Sequence, residues 1–135
     1  MSARDVKIRQ ESRSAAREYL KKASDNYEQM LAAFDAGNWN AAATLAVQCA
    51  ISSADAICVS EKGIRCVSQN HLDVCDLVSG LGFDDASEKA KQLRKVIARK
   101  NMVQYESRTV RKNDADEIVK CTTRFYQWVN EKMGK

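Results

Sequence analysis

The 135-residue sequence contains no proline and only five glycines. These two residue types mark tight turns, so their scarcity argues against an all-β sandwich or barrel, in which turns recur roughly every ten residues. Apolar residues make up 44% of the chain, a share typical of folded rather than disordered proteins. Length and composition together predict a single domain, residues 1–135, in which long helices predominate.

Long apolar runs and paired metal ligands are also lacking. No apolar run approaches the ~18 residues of a membrane span, and the first residues are charged throughout, unlike a secretory signal. His71 is the single histidine, and the five cysteines include no C-x-x-C pair: Cys49, Cys58, Cys66, Cys75 and Cys121. Since zinc sites need closely spaced ligands, we expect free thiols, no metal, no cofactor, no membrane association and a cytoplasmic location.

Steps of three and four between apolar residues predict the two longest helices of the first half. The first runs from Ser12 to Phe34 and ends near Gly37, which suits the residue after a helix. The second runs from about Trp39 to Glu61, with Asn38 or Asn40 as its cap. Because it is apolar on nearly all sides, we expect it to be the buried central helix.

Three further helical patterns follow a loop predicted over residues 63–70. A short helix begins near Leu72 and ends at Gly80 or Gly82, a fourth extends to Val103, and the last follows a break near residues 105–113. The expected caps are Asp84 or Asp85, with Glu88 completing a capping box, and Asn113. The predicted fold is therefore all-α, a single up-and-down bundle of four to five helices, in which residues 1–10 could be disordered.

Asp55 interrupts the apolar second helix. A buried carboxylate is costly unless it is paired or hydrogen-bonded. We therefore expect Asp55 to have a structural polar role and a partner, which could be an arginine, a helix N-terminus or a tyrosine hydroxyl.

Positive charge is concentrated in one part of the chain. The net charge is only +4, yet residues 89–112 contain a single acidic residue, Glu106, and nine basic ones: Lys89, Lys91, Arg94, Lys95, Arg99, Lys100, Arg108, Arg111 and Lys112. Helical spacing places Lys91, Lys95 and Arg99 on one face. Such a cluster repels itself, and an anionic partner would relieve the repulsion. The alternative is a solvated helix face whose charge serves only solubility.

Three stretches of the sequence resemble the HEPN superfamily of helical bundles, which includes nucleic-acid-related and nucleotidyltransferase-associated proteins. They are residues 37–56, which begin Gly-Asn-Trp-Asn-Ala-Ala and end Ala-Asp-Ala; residues 63–71, which begin Gly-Ile-Arg; and residues 99–108, Arg-Lys-Asn-Met-Val-Gln-Tyr-Glu-Ser-Arg. The resemblance implies a homodimer and a toxin–antitoxin or defence context.

Many HEPN proteins that resemble this chain are ribonucleases, with an arginine followed after four to six residues by a histidine. At the corresponding place this chain has Arg99, but Gln104 stands where the histidine would be. Glutamine can hydrogen-bond a phosphate or ribose but cannot shuttle a proton near neutral pH. The resemblance therefore implies binding rather than cleavage here. The candidate nucleic-acid or anion-binding residues are Lys91, Lys95, Arg99, Lys100, Asn101, Gln104, Tyr105 and Arg108.

Arg65 and His71 satisfy the same spacing further upstream, between the second and third helices. His71 could have a structural role, capping the third helix or pairing with Asp73 or Asp55. It could instead be catalytic, with Arg65 facing a phosphate. The role of Tyr105 also has two alternatives, since its ring could stack on a base or cover the core.

Two functions from different classes follow. The first is a non-catalytic HEPN-like dimer that binds RNA, a nucleotide or an acidic protein, with a nucleotidyltransferase-type or antitoxin partner implied by the resemblance. The second is a metal-independent endoribonuclease that uses Arg65 and His71, or a rearranged site around Arg99 and Tyr105. A helical scaffold without a ligand is the third possibility.

Overall fold

The structure, a computed structural model, describes residues 6–105 and 109–134. It has six α-helices: α1 (Ala16–Asp35), α2 (Trp39–Lys62), α3 (Asp73–Ser79), α4 (Ala86–Ile97), α5 (Lys100–Tyr105) and α6 (Lys112–Lys132). Two short strands, β1 (Ile8–Gln10) and β2 (Ile64–Cys66), form an antiparallel pair. The all-α helical bundle predicted from the sequence is confirmed, with this small sheet added.

The core is built around α2, which packs against α1 on one side and α6 on the other. Small residues of α2 are fully buried, including Ala42, Ala46 and Ala50, so the neighbouring helices can approach closely. From α6, Phe125 and Val129 are fully buried against them. The prediction of a buried central helix is confirmed.

Helix α2 is also long and apolar enough to cross a membrane, but 72% of its most apolar 18-residue window is buried inside the fold. That burial is what a core helix requires. Four of the five cysteines are buried as well, and all five are free thiols, as predicted.

The sheet joins the N-terminal segment to the end of α2. Arg9 lies opposite Arg65 in the register, and Glu11 donates its backbone N–H to the Gly63 carbonyl at 2.8 Å. Gly63 has φ +63°, and a Cβ there would lie 3.0 Å from the Glu11 carbonyl oxygen. The structure thus corrects two predictions: residues 8–10 are a strand, and residues 64–66 of the predicted loop are its partner.

The predicted fourth helix is divided in two. Helix α4 ends at Ile97 and α5 begins at Lys100, so the prediction of one helix reaching Val103 is wrong. No glycine or proline marks the break in the sequence. The apolar periodicity alone therefore predicted one unbroken helix.

Several predicted caps have other roles. Asn38 precedes α2 without a side-chain cap, while Asn40 Oδ1 accepts a hydrogen bond from the Val110 backbone N–H at 2.9 Å. Asp85 precedes α4 but binds Trp128 Nε1 at 3.1 Å instead of completing a capping box. Helix α6 begins at Lys112, so Asn113 is not its cap. Asn40 and Asp85 therefore connect distant elements instead of capping helix ends.

Candidate functional site

Asp55 of α2 and Arg65 of β2 form an ion pair. Arg65 Nε donates to Asp55 Oδ2 at 3.3 Å, and Asp55 is only 5% exposed. Burial raises the pKa of the Asp55 carboxyl to about 6, although the Arg65 charge acts in the opposite direction. The prediction that Asp55 has a polar partner is confirmed, and the partner is an arginine.

Tyr19 of α1 lies beside this pair. The Arg65 guanidinium is 5.2 Å from the centre of the Tyr19 ring, within the range of a cation–π interaction. The Tyr19 hydroxyl donates to Glu11, with oxygen distances of 2.8 and 2.9 Å, and Arg9 pairs with the same carboxylate at 2.6 Å. The sheet and α1 therefore hold Arg65 from two sides.

A cleft of about 440 Å³ opens beside Arg65, and we call it the first cleft. It is lined by Tyr19, Lys22, Asp25, Asn26, Gln48, Ile51, Ser52, Asp55, Arg65 and His71. Arg65 and His71, which the sequence paired only by spacing, thus line one cleft. The cleft contains cations and carboxylates together, so its charge is mixed.

His71 also lines a second cleft of about 240 Å³, between the β2–α3 segment and the α4–α5 turn. This second cleft includes Lys100 and Asn101 and, within the described residues, no carboxylate. Burial lowers the pKa of His71, and the positive charges of Lys100 and Arg65 lower it further. Its buried Nδ1 has no hydrogen-bond partner in the described part of the chain, so neither Asp55 nor Asp73 is bonded to that atom.

Tyr105 is 70% exposed at the end of α5. The alternative that it covers the core is therefore wrong. Lys100 Nζ lies 5.7 Å from the centre of its ring. One lysine thus connects an exposed aromatic ring with the second cleft.

Arg99 is held by the protein's own carboxylates. It binds Glu117 through a hydrogen-bonded ion pair and Asp114 at 3.5 Å, both at the start of α6. Arg94 similarly lies 3.8 Å from Asp76. Arg99 is therefore neutralised by two carboxylates, whereas Arg94 and Asp76 are both about half exposed and interact weakly.

The other predicted binding residues are distributed along α4 and α5. Lys91 and Lys95 are exposed on α4, Asn101 is exposed on α5, and Gln104 is half-buried. Arg108 lies outside the described residues. The structure brings Lys100 and Asn101 together with His71, which the sequence had placed in a separate candidate site.

Sequence reasoning missed Tyr19, Lys22 and Glu11 as neighbours of Arg65. A partial signal was present, since Ile-Arg-Cys at 64–66 alternates apolar and polar residues, as strands do, whereas Ile-Arg-Gln at 8–10 does not complete the alternation. At three residues each, the segments were too short to predict a pair. Across residues 6–105 and 109–134, no group of three or more metal-ligating side chains could hold a metal ion.

The family model of the HEPN domain matches residues 16–132 of this chain. The chain belongs to the HEPN family. The described core, from α1 to α6, coincides with the matched region, and the predicted membership is confirmed.

Two solved structures share the HEPN fold of this chain. One is that of ST0689, an archaeal HEPN homologue, with TM-score 0.63, 24% identity and coverage of 87% of this chain and 97% of that one. The other is TT1696 from Thermus thermophilus, with TM-score 0.63, 21% identity and coverage of 87% of this chain and 98% of that one. No curated protein sequence matches the chain.

Proposed function

We propose that this HEPN domain is a non-catalytic RNA-binding module. A phosphate of the RNA binds at the second cleft, between His71 and Lys100, and an unpaired base stacks on Tyr105. The main support for this proposal is the position of Lys100, which lines the second cleft and also lies over the exposed Tyr105 ring.

The chemistry of these residues matches single-stranded RNA. Stacking of a base on an exposed aromatic ring is tolerant of sequence and contributes about 1–3 kcal/mol per base. Lys100 supplies a positive charge beside the ring, and Asn101 adds an amide that can bind phosphate or ribose. The first cleft meets the second cleft at His71, so Arg65 can contact the next phosphate along the RNA strand. A nucleotide or an acidic protein would use fewer of these features.

The surroundings of Arg99 and Gln104 support a module that is non-catalytic at this motif. Arg99 is bound to Glu117 and Asp114, and Gln104 cannot exchange a proton near neutral pH. A rearranged catalytic site around Arg99 and Tyr105 therefore has no free guanidinium in the described structure. The homodimer, the nucleotidyltransferase-type or antitoxin partner protein, the toxin–antitoxin or defence context and the cytoplasmic location stay predictions.

Binding of a fluorescently labelled, unstructured RNA tests the proposal. We expect Lys100→Glu and Tyr105→Leu each to weaken binding about tenfold or more, because one reverses a phosphate contact and the other removes a stacking face. Lys120→Glu is the matched control, since Lys120 is exposed and paired with Asp116 on α6, away from both clefts. If all three variants bound the RNA as tightly as the unaltered chain, the proposed site would be wrong.

The second candidate function is a metal-independent endoribonuclease at Arg65 and His71. It is favoured by one observation: both side chains line the first cleft. A lowered pKa keeps the imidazole neutral and able to accept a proton near pH 7. Cleavage of RNA in the presence of a chelator, lost in His71→Ala with unchanged helical content, would replace the binding module by this enzyme. We expect intact RNA.

A further inference from the structure

Strand β1 pairs with β2 along one edge, and its backbone also has a second, outer edge. The Lys7 carbonyl accepts a hydrogen bond from the β2 side at 2.9 Å, and the Glu11 N–H donates one at 2.8 Å. In an antiparallel ladder, residues bonded to the partner strand alternate with residues whose N–H and C=O point away from it. Residue 9 therefore also bonds to β2, and the backbone groups of Ile8 and Gln10 point outward.

The outer edge of β1 is open. The outward N–H and C=O groups of Ile8 and Gln10 have no hydrogen-bond partner in the described part of the chain. All three residues of the strand are exposed. An open edge of this kind is a template to which an extended peptide can add as a further strand through main-chain hydrogen bonds.

The two faces of β1 differ in chemistry. Side chains alternate between the faces of a strand, so Lys7 and Arg9 lie on one face and Ile8 and Gln10 on the other. Ile8 is 43% exposed, which is unusual for a large apolar side chain of this fold. A strand added to the edge would therefore place alternate side chains beside the two cations and the side chains between them on the face of Ile8.

Positive charge on and around β1 favours an acidic partner. Residues 6–22 contain six basic and two acidic side chains, a net charge of +4. One of the two carboxylates, that of Glu11, already accepts hydrogen bonds from Arg9 and Tyr19. Opposite charges on neighbouring strands stabilise their pairing, whereas like charges destabilise it. Two copies of β1 would bring two basic segments together, so self-pairing is disfavoured.

We propose that an acidic, extended segment of a partner protein adds to the outer edge of β1 as a third strand. Its backbone bonds to Ile8 and Gln10. Its acidic side chains lie beside Lys7 and Arg9, and its apolar side chains lie on the face of Ile8. The recognised sequence therefore alternates acidic and apolar residues. The proposal does not depend on RNA binding at Lys100, because no residue of β1 lines the first or the second cleft.

Amide hydrogen exchange of the full chain, with a synthetic peptide that alternates glutamate and valine, tests the proposal. In the free chain, we expect the outward N–H groups of Ile8 and Gln10 to exchange rapidly and the bonded N–H of Glu11 to exchange slowly. Saturating peptide should slow exchange at Ile8 and Gln10 by about tenfold or more and change Glu11 little. A peptide that alternates lysine and valine is the charge-reversed control and should bind more weakly.

Titration of the labelled glutamate peptide into variants separates the backbone contact from the charge. Ile8→Pro removes the outward N–H and no bond to β2, a position where an edge strand tolerates proline. It should weaken binding about fivefold or more, and Ile8→Ala, which keeps the N–H, should weaken it less. Lys7→Glu should weaken binding about threefold or more, whereas Lys120→Glu on α6 should change it little.

Exchange in the unaltered chain decides the proposal even if proline disturbs β1. The proposal is overturned if saturating peptide leaves Ile8 and Gln10 unprotected, if the lysine peptide binds as tightly as the glutamate peptide, or if Lys7→Glu and Lys120→Glu have equal effects. It is also overturned if protection at Ile8 and Gln10 appears without peptide as the protein concentration rises, because a second copy would then occupy the edge.

Discussion

Arg65 has two structural contacts that leave it able to make a third. Its Nε donates to Asp55, and its guanidinium lies over the Tyr19 ring. A guanidinium has five N–H donors in a fixed plane, so the Asp55 contact occupies a fraction of them. The Arg65 side chain is 33% exposed and lines the first cleft. A phosphate can therefore bind to an arginine whose orientation is already fixed.

The raised pKa of Asp55 predicts how stability changes with pH. Between the ordinary value of 3.8 and about 6, the folded state holds a proton that the unfolded state has lost. The free energy of unfolding should therefore fall as pH rises through this window, by up to about 3 kcal/mol from this group.

Asp55→Asn removes the titration while keeping the shape of the side chain. We expect urea denaturation from pH 3.5 to 7.5 to show that the fall in stability contributed by Asp55 is absent from Asp55→Asn. The difference between the two proteins should therefore depend on pH. A difference that stays constant from pH 4 to pH 7 would contradict the assignment.

His71 is predicted to titrate below its ordinary pKa of 6.5, because burial and two cations disfavour the imidazolium. An RNA phosphate beside it would stabilise the charged form. We therefore expect the midpoint of the His71 ring resonances to lie below pH 6.5 in the free protein and to rise when RNA binds. The sequence contains one histidine, so the NMR signal needs no assignment. An unchanged midpoint in the complex would place the phosphate elsewhere.

At the scale of elements, the β1–β2 pair determines where Arg65 lies. Gly63 follows α2 directly and leads into β2. Its φ is positive, and its Cα faces the Glu11 carbonyl. The backbone of the N-terminal segment then runs along β2, and Val67 donates to the Lys7 carbonyl at 2.9 Å. Glu11 is thereby brought to the Tyr19 hydroxyl.

Gly63→Ala should test this close approach, with Gly82→Ala as its control. Both glycines have positive φ, but a Cβ at Gly82 meets nothing within 4 Å. The left-handed conformation alone costs an alanine about 1–2 kcal/mol. We expect denaturation to give roughly that loss for Gly82→Ala and a larger loss for Gly63→Ala. Equal losses would show that the contact with Glu11 is not tight.

The periodic spacing of apolar residues predicted the three long helices because it repeats over many residues in each of them. α1, α2 and α6 each extend over 20 or more residues, and their apolar spacing was unambiguous. The β1–β2 pair extends over three residues a strand, and its pairing joins residues more than fifty positions apart, so it could not be predicted from local pattern. Arg99 illustrates the same limit at the candidate site, because its neutralising carboxylates come from α6.

At the scale of the whole molecule, two arginines of the basic segment are paired with carboxylates and its lysines on α4 and α5 remain available. Arg94 and Arg99 bind carboxylates of α3 and α6, which connects the helices of the bundle. Lys91 and Lys95 remain exposed along α4, and Lys100 lies at the second cleft. The expected RNA surface is therefore smaller than the sequence suggested, and it is centred on the α4–α5 turn.

The salt dependence of RNA binding tests this account most directly. For single strands, the logarithm of the association constant falls with the logarithm of salt concentration by about 0.7 for each neutralised phosphate. We predict a linear fall for the unaltered chain and, for Lys100→Glu, weaker binding with a slope smaller by about 0.7 or more, whereas Lys120→Glu should keep the original slope. Binding that is insensitive to salt, or a slope that Lys100→Glu leaves unchanged, would contradict an RNA phosphate at this cleft.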